Sequence, residues 1–364
     1  MEELIDWRRT PDDPMFQLTF PQRGMLSAAQ YETMARLVRA EAPREVIEAE
    51  ANRIRAQLNP HPAGQMTHNV PKVNGRPLPG VQHKYRETVL FFPSHGQTCH
   101  AYCTFCFRWA QFVGLEDLRF AGREAEELVA YLKQHPDVTD VLLTGGDPMV
   151  MKSRILRQYV EPLLELKQLI TIRIGTKSIA YWPHRYVTDP DAEDVLELFE
   201  QVVAAGKQLA VMAHASHPVE FSTDMAQEAV RRIRATGANI RMQSPVVRHV
   251  NDDPQVWAAL WRDGVRIGCI PYYMFVERDT GARGYFEIPL VRCWDIFQTA
   301  YRQVSGMCRT VRGPSMSAFP GKVHILGITT IGGEKAFVLE YIQAREAALV
   351  RRPFFAKLDP TATW

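Results

Sequence analysis

From residue 88 to residue 275, short apolar runs alternate with amphipathic segments, and this rhythm limits the fold more than any other feature of the chain. Runs at 88–92, 138–143, 170–174, 209–213, 240–242 and 267–275 read as buried strands. Segments at 121–134, 154–166, 192–205, 225–236 and 254–263 read as helices. Strand and helix in alternation predict an α/β chain with a parallel sheet and right-handed crossovers. Six such strands predict a partial, TIM-like (β/α)6 barrel. An open, doubly wound sheet is the alternative.

The flanks read differently. Residues 1–60 are helical in pattern: Ser27 and Gln30 have capping-box spacing, and Tyr31, Met34, Leu37 and Val38 follow at helical intervals. A second helix is expected over 43–58, with Val46, Ile47, Ile54 and Leu58 apolar. Residues 59–80 are rich in Pro, Gly and Asn, as in a loop or linker. Beyond about residue 290 a helix at 291–303 precedes loop and short-strand material through 364. The expected organisation is therefore an N-terminal helical region and linker at 1–80, a barrel at 81–290 and a C-terminal extension at 291–364.

Composition excludes several classes. With 46% hydrophobic and 23% charged residues and a net charge of +2, the chain has no nucleic-acid footprint and no polybasic membrane patch. No basic, apolar leader opens it, and no run approaches the roughly 20 apolar residues that span a bilayer. Of the 6 cysteines, Cys269, Cys293 and Cys308 are scattered and read as core thiols. That usage fits a reducing cytoplasm rather than a disulfide framework.

Cys99, Cys103 and Cys106 are different: they stand as C-x3-C-x2-C, with Phe105 before the third. Three thiolates can hold three irons of a [4Fe–4S] cluster and leave the fourth open for chemistry. Three buried thiols or a zinc knuckle is the plainer reading; zinc needs a fourth ligand, for which His95 and His100 are candidates.

In a barrel, chemistry collects at the C-terminal strand ends, and the ends here are polar. The second strand runs into Thr144-Gly145-Gly146-Asp147-Pro148, where two glycines admit a ligand close to the backbone and Asp147 can pair with an ammonium group. The third holds Arg173-Ile174-Gly175-Thr176-Lys177, the fourth ends in His214-Ala215-Ser216-His217-Pro218, and the fifth in Gln243-Ser244 with Arg248 and Asn251-Asp252 beyond.

The cysteine spacing resembles that of the radical S-adenosylmethionine (SAM) enzymes. Together with the Gly-Gly-Asp, the Arg-Ile-Gly-Thr, His214-x-x-His217-Pro218, the Gln243 segment, Pro271-Tyr272-Tyr273 and His83-Lys84-Tyr85, it resembles the lysine 2,3-aminomutase group over about residues 80–325. The resemblance implies a cluster on Cys99, Cys103 and Cys106, and SAM against Gly145, Gly146, Asp147, Arg173 and Gln243, with His214 a further candidate. It also implies pyridoxal 5′-phosphate (PLP). Aligning Ser305-Gly306-Met307-Cys308 with the family's Ser-Gly-Tyr-Cys places Lys322, after Gly321, on the PLP lysine, with Lys84 and Tyr85 near the phosphate. Arg108 falls on the clamp for the substrate's α-carboxylate. A reductase of flavodoxin or ferredoxin type would supply the electron, and a small amino acid would be the substrate.

Departures from the group carry information. Two aspartates that hold the distal ammonium of lysine are replaced here by Arg278 and Ser315. A cation facing a buried ammonium repels it, whereas Arg278 can pair with a carboxylate. The expected activity is thus a 2,3-aminomutase acting on an amino acid other than lysine, with an acidic, glutamate-like one favoured. Asp279 keeps open a lysine mutase for free or protein-bound lysine. A PLP-free radical SAM enzyme and a non-catalytic iron–sulfur protein are further alternatives. No cysteine follows Cys308, so no C-terminal structural zinc is expected, and monomer and homo-oligomer both remain open.

Overall fold

The computed structural model describes residues 2–59, 69–73, 75–114 and 119–363. Helices α1 (Pro14–Thr19), α2 (Ala28–Arg39) and α3 (Arg44–Leu58) come first. Asp13 caps α1 by accepting from the backbone N–H groups of Met15 and Phe16. Ser27 and Gln30 form the capping box that their spacing predicts. The linker expected at 59–80 lies partly outside the described residues; within it, β1 (Lys72–Val73) and β2 (Arg76–Pro77) form a short antiparallel pair.

The main sheet begins with β3 (Val81–Tyr85), which folds back antiparallel on β4 (Thr88–Phe91). The alternation then unfolds as α4 (Ala125–Lys133), β5 (Asp140–Leu143), α5 (Ser153–Leu164), β6 (Thr171–Thr176), α6 (Ser178–Tyr181), α7 (Ala192–Ala204), β7 (Gln208–His214), α8 (Asp224–Ala235), β8 (Asn239–Val246), α9 (Pro254–Ile267) and β9 (Ile270–Val276). Strands β4 to β9 are parallel and adjacent in chain order. After α10 (Arg283–Phe286) and α11 (Leu290–Arg302), β10 (Arg312–Ser317) joins β9 in parallel. Finally β11 (Gly321–Ile331), β12 (Glu334–Ala344) and β13 (Pro353–Lys357) extend the sheet antiparallel.

Side-chain alternation decides which surface does what. On β5, Val141 and Leu143 enter the core with Leu128, Leu156 and Leu163, while Asp140 and Leu142 take the opposite surface. On β6, Ile172 and Ile174 join that core and Arg173 alternates with them. Each fully buried Leu or Ile contributes about 1.5–3 kcal/mol. The sheet curls until its ends approach: the Lys322 amine on β11 lies 6.0 Å over the ring of Tyr85 on β3, although these strands are far apart in sheet order. The result is a partial (β/α)6 barrel with helices before it and an antiparallel extension after it.

The C-terminal region departs from expectation. In place of loops and short strands, β11 and β12 are 11 residues each. Gly332 and Gly333, both at positive φ, turn one into the other. A Gly-Gly pair directly after the β-branched run 328–331 is a hairpin signal that sequence reading passed over. The sixth parallel strand begins at Ile270 rather than 267, because α9 runs to Ile267 and Gly268 closes it in the left-handed conformation.

Candidate active site

The loop after β4 presents Cys99, Cys103 and Cys106 as free thiols. Turns shape it: Cys106 N donates to Cys103 O at 3.1 Å, and Trp109 N to Cys106 O at 3.1 Å. Helix α1 fastens it from outside, since Thr104 N donates to Leu18 O at 2.9 Å and Thr104 Oγ1 to Gln17 O at 2.7 Å. Phe105 is buried against His214 and Phe286, with ring centroids 6.0 and 6.1 Å away. Burial pushes all three thiols up, Cys106 to about 12, and the mutual repulsion of their thiolates adds to the rise in Cys99 and Cys106. Thiolates so placed call for metal charge beside them.

Among the described residues, no three His, Cys, Asp or Glu side chains close on one point as ligands of a single ion do. Thiolates of a cubane bind three separate irons and need no common point. His95 contacts the Tyr159 hydroxyl at 2.8 Å, and His100 stacks on Trp182.

The glycine turn abuts this loop. A Cβ on Gly146 would collide with the Thr98 backbone, and Gly145, at φ 140°, with the Gln97 side chain. Asp147 N donates to Thr98 O at 2.6 Å, so the turn and the cysteine loop are bonded beside Cys99. Asp147 accepts from Thr176 Oγ1 at 2.7 and 2.8 Å, Lys177 N at 2.8 Å and Met149 N at 2.9 Å. A buried carboxylate takes donors within reach, and here they come from the end of β6 and the segments that follow β5 and β6. Asp147 therefore joins the ends of two strands beside the Gly145–Gly146 backbone.

Arg173 Nε donates to Asp140 Oδ1 at 2.8 Å, and Thr88 Oγ1 bonds the same carboxylate at 2.9 Å. Asp140 and Thr88 open their strands, so this ion pair ties the guanidinium to the N-terminal ends of β4 and β5, and its charge is felt by Lys322. His214, last in β7, is buried beside Phe105; burial holds its imidazole well below the usual range, and its Nδ1 has no hydrogen-bond partner among the described residues. Gln243 neighbours it on β8 and alternates with the core residue Met242.

Across the barrel, the Lys322 amine stands over Tyr273 at 4.1 Å and Phe275 at 5.2 Å. Burial, helped by the charges of Arg173, Arg312 and Lys84, brings it down to about 7. Lys84 is lowered to about 8 by burial and by Arg278 and Arg345. Tyr85 is raised to about 12 by burial. Arg312 lies over Tyr272 and Tyr273 at 4.7 and 4.6 Å. Among the described residues no carboxylate forms an ion pair with Lys84, Arg312 or Lys322. Enclosed cations of this kind suit a dianionic phosphate, and the aromatic walls suit a flat ring. Ser315 is fully buried on β10, and its Oγ has no hydrogen-bond partner among the described residues.

Between the two halves sit Arg108 and Arg278, 4.8 and 5.4 Å from the Phe107 ring. Burial lowers Arg108 to about 10. Burial also lowers Arg278, while Asp279 and Glu277 counteract it. Sequence reasoning missed Arg312, which falls in a stretch read as loop and short strand, and Glu277, a buried carboxyl near Cys103 and Cys106 that burial pushes well up. Pro271-Tyr272-Tyr273 entered the sequence reading only through the resemblance, with no role given to its rings.

The chain is 32% identical over 286 residues to an Aquifex aeolicus protein provisionally named L-lysine 2,3-aminomutase, covering 78% of this chain and 73% of that one. It is 27% identical over 230 residues to the L-lysine 2,3-aminomutase of Bacillus subtilis, covering 63% of this chain and 46% of that enzyme, so it spans about half of the latter's length. A solved radical SAM methyltransferase of Sphaerobacter thermophilus superposes with a TM-score of 0.45 at 17% identity, over 81% of this chain and 95% of that one, a likeness too distant to argue from. No protein-family model matches. The Aquifex relative, matched over most of both chains, shows that this chain belongs to the lysine 2,3-aminomutase family of radical SAM enzymes.

Proposed function

We propose that the chain is a radical SAM, PLP-dependent amino acid 2,3-aminomutase whose substrate is an acidic amino acid rather than lysine. The observation that carries the reading is the pairing of two chemistries across one lumen: three thiols on one wall, and a lysine brought to about 7 among cations and aromatic rings on the other. When bound, the cluster and SAM, given one electron from an external donor, would supply a 5′-deoxyadenosyl radical, and PLP would hold the substrate's amino nitrogen.

The chain's own residues do the rest. Cys99, Cys103 and Cys106 hold three irons, and Phe105 keeps water from them. Gly145 and Gly146 let SAM approach the backbone, with Gln243 and His214 along the adjoining strands. Lys322, brought to about 7, has about half of its amine unprotonated at neutral pH and is the group that would hold the PLP carbonyl carbon. Lys84, Tyr85 and Arg312 receive the phosphate. Arg108 grips the α-carboxylate and Arg278 the side-chain carboxylate, orienting Cβ toward the cluster wall.

A second reading draws on Asp279 beside Arg278, which offers negative charge for a lysine side chain as the names of the relatives suggest. Operation in the cytoplasm and an external one-electron reductase belong to the same proposal; among the described residues, no helix is long and apolar enough to cross a membrane. Anaerobic turnover with SAM, dithionite and a panel of amino acids tests it. Glutamate is expected to react ahead of aspartate, with lysine inert. Conversion of lysine with none of glutamate overturns the acidic reading and reinstates Asp279.

A further inference from the structure

Cys103 differs from its two companions in having, among the described residues, a side-chain hydrogen-bond partner: its Sγ lies 3.3 Å from the Tyr181 hydroxyl. Tyr181 closes α6, is buried, and belongs to the same apolar cluster as Phe105 and Phe286. Its ring is held from the other side as well. The Lys177 amine lies 4.8 Å over it, and that amine is itself fixed by an ion pair with the fully buried Glu220 and by a hydrogen bond to His214 O at 3.2 Å. Glu220 in turn accepts from Ser216 N and His217 N. The phenol is thus positioned by a network whose members lie at the ends of β6 and β7, and its hydroxyl meets one sulfur.

A thiol and a phenol can each donate to the other. An iron-bound thiolate has no proton to give, so with a cluster in place the phenol must be the donor. We propose that Tyr181 tunes the cluster: by donating to the Cys103 sulfur, with the Lys177 charge behind its ring, it raises the cluster's reduction potential. The reduced cluster carries one more negative charge, and a proton aimed at sulfur stabilises that state more than the oxidised one. One electron enters from an external one-electron donor, no bond is made or broken at Tyr181, and the phenol keeps its proton. This inference rests on the reading of the three cysteines as cluster ligands. It makes Tyr181 a positioning and tuning residue that touches neither SAM nor substrate.

The test is a redox titration of the anaerobically reconstituted full-length chain, without substrate, followed by electron paramagnetic resonance. Tyr181→Phe is expected to keep its iron and sulfide content and to titrate at a more negative midpoint than wild type. Replacing Tyr181 by 3-fluorotyrosine, a better donor of similar size, is expected to move the midpoint the opposite way. In the wild type an exchangeable proton should couple to the reduced cluster and vanish in Tyr181→Phe. Should Tyr181→Phe assemble no cluster, the fluorotyrosine midpoint decides alone. Midpoints indistinguishable from wild type in the cluster-bearing variants overturn the inference while leaving the cluster reading intact. A wild-type chain that takes up no cluster overturns both.

Discussion

The indole Nε1 of Trp109 lies 3.3 Å from Oγ1 of Thr280, and through that contact the cysteine loop is bonded to the loop that carries Arg278. The same loop is held from the far side, where Gly281 N donates to the Leu58 carbonyl at 2.8 Å, at the end of α3. Trp109 thus links the cysteine loop to the loop of Arg278.

Trp109→Phe keeps the ring and removes the N–H donor. A misplacement of Arg278 by a fraction of an ångström weakens substrate binding before it touches the cluster. The variant is expected to raise KM for the acidic substrate several-fold with iron content unchanged. Parallel loss of iron and activity would show that Trp109 serves the cluster alone.

Cys103→Ala should abolish the broad iron–sulfur absorbance and all SAM cleavage, because three thiolates are the minimum anchor for this cluster. Iron analysis and detection of 5′-deoxyadenosine check it; normal values for both would remove the cluster assignment.

Lys322 makes a prediction about pH. Its ammonium is brought to about 7 from the usual lysine value by burial first and by neighbouring cations second. Only the unprotonated amine attacks a carbonyl. Borohydride trapping of pyridoxal phosphate on Lys322 is therefore expected to rise through a midpoint near 7 and level off well below pH 10. Lys322→Ala should abolish the label, and a label on another lysine would show the C-terminal register to be wrong.

Arg278→Asp reverses the charge that the proposed function sets against the substrate's side chain. Breaking a desolvated charge pair costs about 2–5 kcal/mol, so kcat/KM for glutamate should fall by a corresponding factor while lysine gains weak activity. Unchanged glutamate kinetics would mean that Arg278 serves Glu277 and Asp279 rather than substrate.

Asp147→Ala leaves three buried donors, at Met149, Thr176 and Lys177, without their acceptor. Each such loss costs about 1–3 kcal/mol, so thermal unfolding of the variant should begin at a lower temperature. Asp147→Asn keeps one acceptor oxygen and should fall between the two. If both variants melt as wild type does and lose only SAM affinity, the carboxylate serves the ligand after all.

Much of the site was legible because its sequence signals are local. Cysteine spacing survives in a loop whatever lies around it, and the Gly-Gly pair at 145–146 is required by backbone contact with Thr98, which no side chain would permit. The protein partners of Arg173 and Asp147 were not legible for one reason: each carries a charge whose partner, Asp140 or Thr176, is remote in sequence and arrives only with the neighbouring strand. The β11–β12 hairpin was missed because its apolar residues cover α11 with one face and leave the other mixed, so alternation is blurred except at the Gly332-Gly333 turn. Trp109 and Tyr181 could not be read in advance, since their partners lie 171 and 78 residues away.

The approach of Lys322 to Tyr85 has a consequence for biosynthesis. The two residues lie on strands at opposite ends of the sheet order, so their meeting waits for nearly every strand between them to be laid down. Cysteines and glycine turn come together much earlier, on β4 and β5. A growing chain can thus complete its metal-binding half while the lysine half is still unmade, and contacts this distant form slowly. On the proposed reading, uptake of the phosphate cofactor would report that β3 and β11 have met, whereas iron uptake would report only the first third of the sheet.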